Sequence, residues 1–295
     1  LIIQKIILLI LEIMSIAPGA GRSAPAVMTP ADLRPVLLCV GGHDPGGGAG
    51  IQADAEAARA VGVHACSVVS CLTDQDTCGV VRLWPQRPQP IEDQCRRVLA
   101  DSRVGALKIG LLGGSRVVRV LCALTTEHPR LPVILDPVLA SGTGQQVADA
   151  ALINQLRSNL LGRCTLVTPN LPEAQLLSGF KEPDDCARRL LQSGCPWVLI
   201  TGTHAPGDAV INRLYGRDDS RREWAWPRLD GSYHGSGCTL ASAVAARIVR
   251  GLDLEDAVAE AQSYTWQSLS RALRTGRCQL TPNRLFALDG PAAPP

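Results

Sequence analysis

From residue 36 onward, short apolar runs alternate with stretches of helical character, and this alternation constrains the fold of the 295-residue chain more than any other feature. Apolar runs at 36–40, 64–70, 106–111, 132–136, 165–168 and 197–201 read as buried strands. Segments 51–60, 91–100, 116–124, 148–160, 172–177 and 186–192 read as helices. Strands separated by helices pair in parallel, because the crossover returns the chain to the same end of the sheet. The expectation is therefore an α/β fold, a largely parallel central sheet with helices on both faces. Two later runs, 209–215 and 223–227, flank a short polar turn and predict a small antiparallel hairpin. Helices at 239–249 and 254–273 follow, and one domain is expected over 35–295.

Composition excludes several function classes. Hydrophobic residues make up 46% of the chain but aromatic ones only 3%, so a sizeable core is built from Leu, Val, Ile and Ala. The net charge of +2 and the dispersal of basic residues, including Arg96-Arg97, Arg188-Arg189 and Arg221-Arg222, read as solvated faces and argue against a nucleic-acid partner. The 11 cysteines are odd in number and show no C-x-x-C or Cys/His zinc spacing. Cys39, Cys66, Cys71 and Cys122 read as compact core residues, and the set as that of a cytoplasmic protein, not of a disulfide scaffold.

Residues 1–34 read as an extension. Residues 1–14 are apolar but too short for a confident membrane span, and 15–35 are rich in Ala, Pro and Gly and read as disordered. A signal peptide is one reading. The start at Leu1 and the single flanking charge at Lys5 favour an artefact of upstream translation, with the true start at Met14 or Met28. No stable membrane association is expected.

Ligands of open parallel sheets bind beyond the carboxyl ends of the strands, so the loops after the predicted strands share one rim. Gly41 to Gly50 is glycine-rich and lets backbone approach a ligand closely. Within it, Gly48-Ala49-Gly50-Ile51-Gln52-Ala53 satisfies the loose dinucleotide pattern and keeps a nicotinamide-dependent oxidoreductase open, whereas no GxxxxGK[ST] loop occurs. Gln75, in a polar cluster after an apolar run, suits the edge of a heterocycle or an ordinary loop. Asp136 ends a strand ahead of Pro137, where it either orients a metal or simply closes a turn. Asn170 and Glu173 have the spacing of a capping box and also stand where an acid can serve a ligand. Gly235-Ser236-Gly237-Cys238 opens a long helix and predicts an anion site whose field favours a thiolate at Cys238.

Together these segments resemble the hydroxymethylpyrimidine and phosphomethylpyrimidine kinases of thiamine biosynthesis, a ribokinase-like family, over residues 36–274. Five motifs in order carry the resemblance: Gly42-x-Asp44-Pro45-x-Gly47-Gly48-Ala49-Gly50-Ile51-Gln52-Ala53-Asp54, Leu72-Thr73-x-Gln75-x-Thr77, Lys108-Ile109-Gly110-Leu111, Thr168-Pro169-Asn170-Leu171-Pro172-Glu173-Ala174, and His234-Gly235-Ser236-Gly237-Cys238-Thr239-Leu240. The resemblance implies a ribokinase-like fold, ATP and Mg²⁺, an aminopyrimidine substrate and a homodimer. It implies that Asp54 and Gln75 hold the pyrimidine, with Gly42 and Ala49 lining its pocket. Asp136 and Glu173 become the Mg²⁺-organising acids, and Gly235, Ser236 and Gly237 the hole for the transferring phosphoryl. Cys238 matches the general base, and Thr201, Gly202, Thr203 and Asn170 fall on the nucleotide side. Three positions depart from the family pattern: Thr201 and the 139–142 segment lack the usual lysines, and Asp76 replaces an asparagine. A pyridoxal-type kinase and a catalytically weak pyrimidine-binding regulator on the same fold are the alternatives.

Overall fold

Every second residue of the first strand, β1 (Val36–His43), packs on the same side of the sheet, and that alternation organises the molecule. The computed structural model describes residues 33–142, 144–203 and 207–289. The chain divides into units 1–34 and 35–295, and the sheet belongs to the second. The extension expected over 1–34 lies, but for its last two residues, outside the described residues. Among the described residues no helix is long and apolar enough to cross a membrane.

The remaining elements are α1 (Gly50–Ala60), β2 (His64–Asp76), β3 (Gly79–Pro85), α2 (Pro88–Asp101), β4 (Val104–Ile109), α3 (Arg116–Glu127), β5 (Val133–Leu135), α4 (Ala150–Gln155), β6 (Leu166–Val167), α5 (Leu171–Ser178), α6 (Pro183–Gln192), β7 (Trp197–Ile200), β8 (Ala209–Gly216), β9 (Arg221–Pro227), α7 (Ser236–Val249) and α8 (Leu254–Ser270). Among the described residues, nine strands form one sheet in the order β3-β2-β1-β4-β5-β6-β7-β8-β9. β2, β1 and β4 to β7 run parallel, while β3, β8 and β9 are antiparallel at the edges. Leu38 and Val40 pack with α2 to α6 on one face, and Leu37 and Cys39 pack with α1, α7 and α8 on the other. The strand order reverses beside β1, between β2 and β4, and such a switch point leaves a crevice at the carboxyl ends of the strands.

The structure departs from the sequence reading in three places. β2 runs on to Asp76 and turns into β3, so Gln75 sits in an edge hairpin and not in a loop. The alternation in 79–85 is weakly apolar because the hairpin is half-exposed, which hid the strand. The helix at 148–160 is a short α4 relaxing into a π turn at Leu156–Leu160. The expectation of no disulfide is also corrected. Cys78, at the tip of the β2–β3 hairpin, is bonded to Cys278 in the C-terminal segment, with Cα atoms 5.0 Å apart. The two are separated by 200 positions, so no local spacing betrays the pair. The other nine cysteines are free.

Candidate active site

A cavity of about 520 Å³ runs along the carboxyl ends of the strands, from Gln75 in the β2–β3 hairpin, past the start of α7, to Trp266 in α8. Its wall is built around the β1–α1 loop. Asp44 shapes that loop: Oδ1 accepts from the Gly46 amide, and Oδ2 accepts from the Ala49 amide and from His234 Nε2, each at 2.9 Å. Burial alone would raise the Asp44 pKa, but the His234 bond, the two amides and the His234 charge outweigh it and hold the carboxyl at about 2. His234 precedes α7, so this contact fastens the glycine loop to the helix start. Gly235 caps α7 with φ +77, and a Cβ there would lie 2.0 Å from the Gly48 carbonyl oxygen. Only glycine satisfies both the left-handed backbone and that approach. Arg284, fully buried, completes the clamp. Its Nε donates to Thr239 Oγ1 at 2.8 Å, Nη1 donates to the Gly47 carbonyl and to Glu56, and Nη2 donates to the Gly48 carbonyl.

The first turn of α7 faces the cavity through Gly235, Ser236, Gly237 and Cys238. First-turn amides have no intrahelical acceptor, and the positive end of the helix dipole adds to them, so the turn suits a phosphoryl group. Asp136, one residue beyond β5, lies directly against it: a Cβ on Gly237 would be 3.7 Å from both carboxylate oxygens. Asp136 is buried, and its Oδ2 has no hydrogen-bond partner among the described residues. Burial raises its pKa to about 6, against the lowering effect of Lys108. Lys108, on β4, also lines the cavity and donates to Asp54 Oδ1 at 2.7 Å. Burial disfavours its charge, but Asp54 above all, with Asp136, keeps it protonated.

Two expectations change here. Asp54, expected to hold a substrate ring, does not line the cavity. It is fully buried on α1, where it accepts from Lys108 and from Ser242 Oγ, so it anchors the lysine. The helix field at Cys238 is opposed by its surroundings. Burial pushes its thiol up to about 12, and the lowering influence of Lys108 does not offset burial together with the charges of Asp136 and Asp54. The helix field was legible in the sequence, but the buried acids around the sulfur were not.

Glu173 and Asn170 form the capping box at the start of α5, with both reciprocal bonds present. Glu173 Oε1 also accepts from the Leu139 amide at 2.9 Å. It thereby holds the turn after Asp136, where Val138 has φ +39, a conformation strained for a β-branched residue. Burial and then the charge of Asp136 raise the Glu173 pKa to about 7. Two buried carboxyls with raised pKa values, one carrying an unbonded oxygen, fit a divalent cation. Asp136 offers the free oxygen, while the oxygens of Glu173 already accept backbone amides.

At one end of the cavity stand Gly42, Ala49 and Gln75. The hairpin bearing Gln75 is tied down by Thr73 Oγ1, which donates to the His43 carbonyl, by the Gln279 amide, which donates to the Thr77 carbonyl, and by the Cys78–Cys278 bond. At the other end, Thr201, Thr203 and Asn170 line the cavity, whereas Gly202 sits behind it and donates its amide to Asn212 Oδ1. Arg228 lines this end and donates to the carbonyls of Thr203, Gly207 and Ala209, bringing positive charge to a region that lacks the family's lysines. Trp226 and Trp266 stack at 6.3 Å beside it. Lys108 stood in a recognised motif without an assigned role. Arg284, Arg228 and the tryptophan pair left no sequence signal, since their partners lie far away in the chain.

The sheet order, the glycine loop fastened to a helix start, and the buried acids beneath that helix define a small-molecule kinase of ribokinase-like architecture. The family model described as phosphomethylpyrimidine kinase matches residues 44–283, and the chain belongs to that family. It is 36% identical to the hydroxymethylpyrimidine/phosphomethylpyrimidine kinase of Streptomyces coelicolor, over 84% of this chain and 93% of that one. It is 34% identical to the enzyme of the same name from Escherichia coli, over 80% and 91%. Among solved structures, it resembles Bacillus subtilis pyridoxal kinase in an ADP complex, with TM-score 0.79, 25% identity and coverage of 87% and 100%. It also resembles phosphomethylpyrimidine kinase from Clostridium difficile, with TM-score 0.69, 28% identity and coverage of 80% and 99%.

Proposed function

We propose that the protein transfers the γ-phosphoryl group of ATP to the hydroxymethyl oxygen of 4-amino-5-hydroxymethyl-2-methylpyrimidine, and then to the phosphate of the resulting monophosphate. The observation that carries this reading is the placement of the Asp136 carboxylate against the first turn of α7, in one cavity that is also lined by Gln75 and by Trp226 and Trp266. Gln75 would hydrogen-bond the aminopyrimidine edge, with Gly42 and Ala49 leaving room for the ring. The amides of Gly235, Ser236 and Gly237 would receive the phosphoryl oxygens, and Lys108 and Arg228 would supply fixed positive charge. Asp136 would hold Mg²⁺, with Glu173 fixing the turn beside it; the ion, when bound, neutralises phosphate charge.

In each transfer the bond from the γ-phosphorus to the bridging oxygen breaks and ADP leaves. A new P–O bond forms to the acceptor oxygen. For the alcohol, the small thiolate fraction of Cys238 would take the hydroxyl proton and return to the thiol. A thiol held at about 12 offers little thiolate at neutral pH, so proton removal contributes late and modestly, and positioning supplies most of the acceleration.

The likeness to B. subtilis pyridoxal kinase favours pyridoxal as a second acceptor. Measuring kcat/KM for hydroxymethylpyrimidine, its monophosphate and pyridoxal separates the readings. The proposal expects both pyrimidines to be preferred over pyridoxal; a preference for pyridoxal by tenfold or so would reverse it.

A further inference from the structure

At the aromatic end of the cavity one buried hydrogen-bond donor is unused. Gln262, on α8, is 3% exposed and lines the cavity, and its Nε2 has no partner among the described residues. Its amide orientation is fixed, because Oε1 already accepts twice, from Asn212 Nδ2 at 2.8 Å and from Trp226 Nε1 at 3.2 Å. Asn212 is fixed in turn by the Gly202 amide, which donates to its Oδ1. A flipped Gln262 would set its NH₂ against two donors, so the side chain presents a donor and nothing else. A buried donor without an acceptor is costly, and such a group is retained where something supplies the acceptor. The surroundings specify what. Gln262 and Trp266 lie one turn apart on α8 and share a face, and Trp226 stacks on Trp266 at 6.3 Å. Flat aromatic surface beside a single donor suits a heteroaromatic base that bears an acceptor.

We propose that Gln262 is a specificity-determining residue for the phosphoryl donor: its Nε2 donates to one acceptor atom of a purine base lying beside Trp226 and Trp266. The inference rests on the kinase reading above and adds to it which atom class of the nucleotide is read, and by which side chain.

The test is equilibrium binding of MgATP and of its 1-deaza, 3-deaza and 7-deaza analogues, without acceptor substrate, followed by calorimetry. In the wild type, one of the three analogues should bind about 5- to 50-fold more weakly than ATP, the range expected for one lost hydrogen bond. In Gln262→Met, ATP should weaken by a similar factor, and that same analogue should bind no worse than ATP. Gln262→Glu keeps an acceptor for Asn212 and Trp226 while removing the amide donor. It serves as the second variant should Gln262→Met fold poorly, and it too should weaken ATP. A role for Gln262 in structure alone would weaken ATP and all analogues equally, and that result overturns the inference. Wild type that binds MgATP while every analogue matches ATP also overturns it and leaves the kinase reading standing. Wild type that binds no MgATP overturns both.

Discussion

The two ends of the cavity are built differently. The end that holds Gln75 is made of backbone brought into close contact and clamped: Asp44 to His234, Arg284 to the Gly47 and Gly48 carbonyls, and the hairpin bonded through Cys78 and Cys278. The end that holds Trp266 is made of side chains from β8, β9 and α8, joined through Asn212, Gln262 and Trp226, with one donor left over. Close backbone contact demands glycine at fixed spacing, so the first end writes itself into contiguous motifs. Side-chain networks tolerate many residue types, and the second end leaves single letters scattered between positions 201 and 269. The α7 helix start is the seam between them.

A substitution at the seam should have the largest effect. Gly235→Ala places a Cβ against the Gly48 carbonyl at an unfavourable φ. It should lower kcat by about 10²-fold or more, as expected when an oxyanion-type donor is displaced. Steady-state kinetics with circular dichroism as a fold control checks this, and a change below about threefold would mean that the turn is no part of the transfer site. Cys238→Ala should cost less, about 10- to 100-fold in kcat, at or below the bottom of the general-base range, because the buried thiol is seldom ionised. Unaltered kcat would make Cys238 a packing residue.

Gln75→Ala tests whether the ends act independently. It should raise KM for the pyrimidine by about 5- to 30-fold, the cost of one hydrogen bond to a bound ring, and leave KM for ATP unchanged. Equal shifts in both constants would dissolve the distinction between the ends. The smallest effect concerns pH. Asp136 at about 6 and Glu173 at about 7 both lie above their ordinary values. The folded protein therefore binds more protons than the unfolded chain at mildly acidic pH, and its stability falls as pH rises through that window. In chelator, the melting temperature should drop by about 2–4 °C between pH 5.5 and 7.5, and excess Mg²⁺ should flatten the curve. A rise over the same window would contradict the buried-acid description.

Most of the fold was legible because its signal is local: apolar runs with glycine or proline at their ends fix a parallel sheet. The edge strand β3 was not, since a half-exposed hairpin carries little apolar contrast. Within the site, Asn170, Glu173, Asp136 and the Gly235 turn could be placed on one rim from their positions after strands, and all of them line the cavity. The burial of Asp54 against Lys108 and Ser242 was not legible, because whether an acid at the start of α1 faces the cavity or a buried lysine depends on β4 and α7. The thiol of Cys238 shows the same limit: the helix start was visible, but the desolvation that dominates its pKa comes from packing.

The most direct measurement is product analysis by mass spectrometry after incubating the protein with hydroxymethylpyrimidine, ATP and Mg²⁺. The account predicts that the monophosphate appears first and is converted to the diphosphate, with one ADP formed per transfer. Folded protein that binds MgATP yet forms neither product would contradict it.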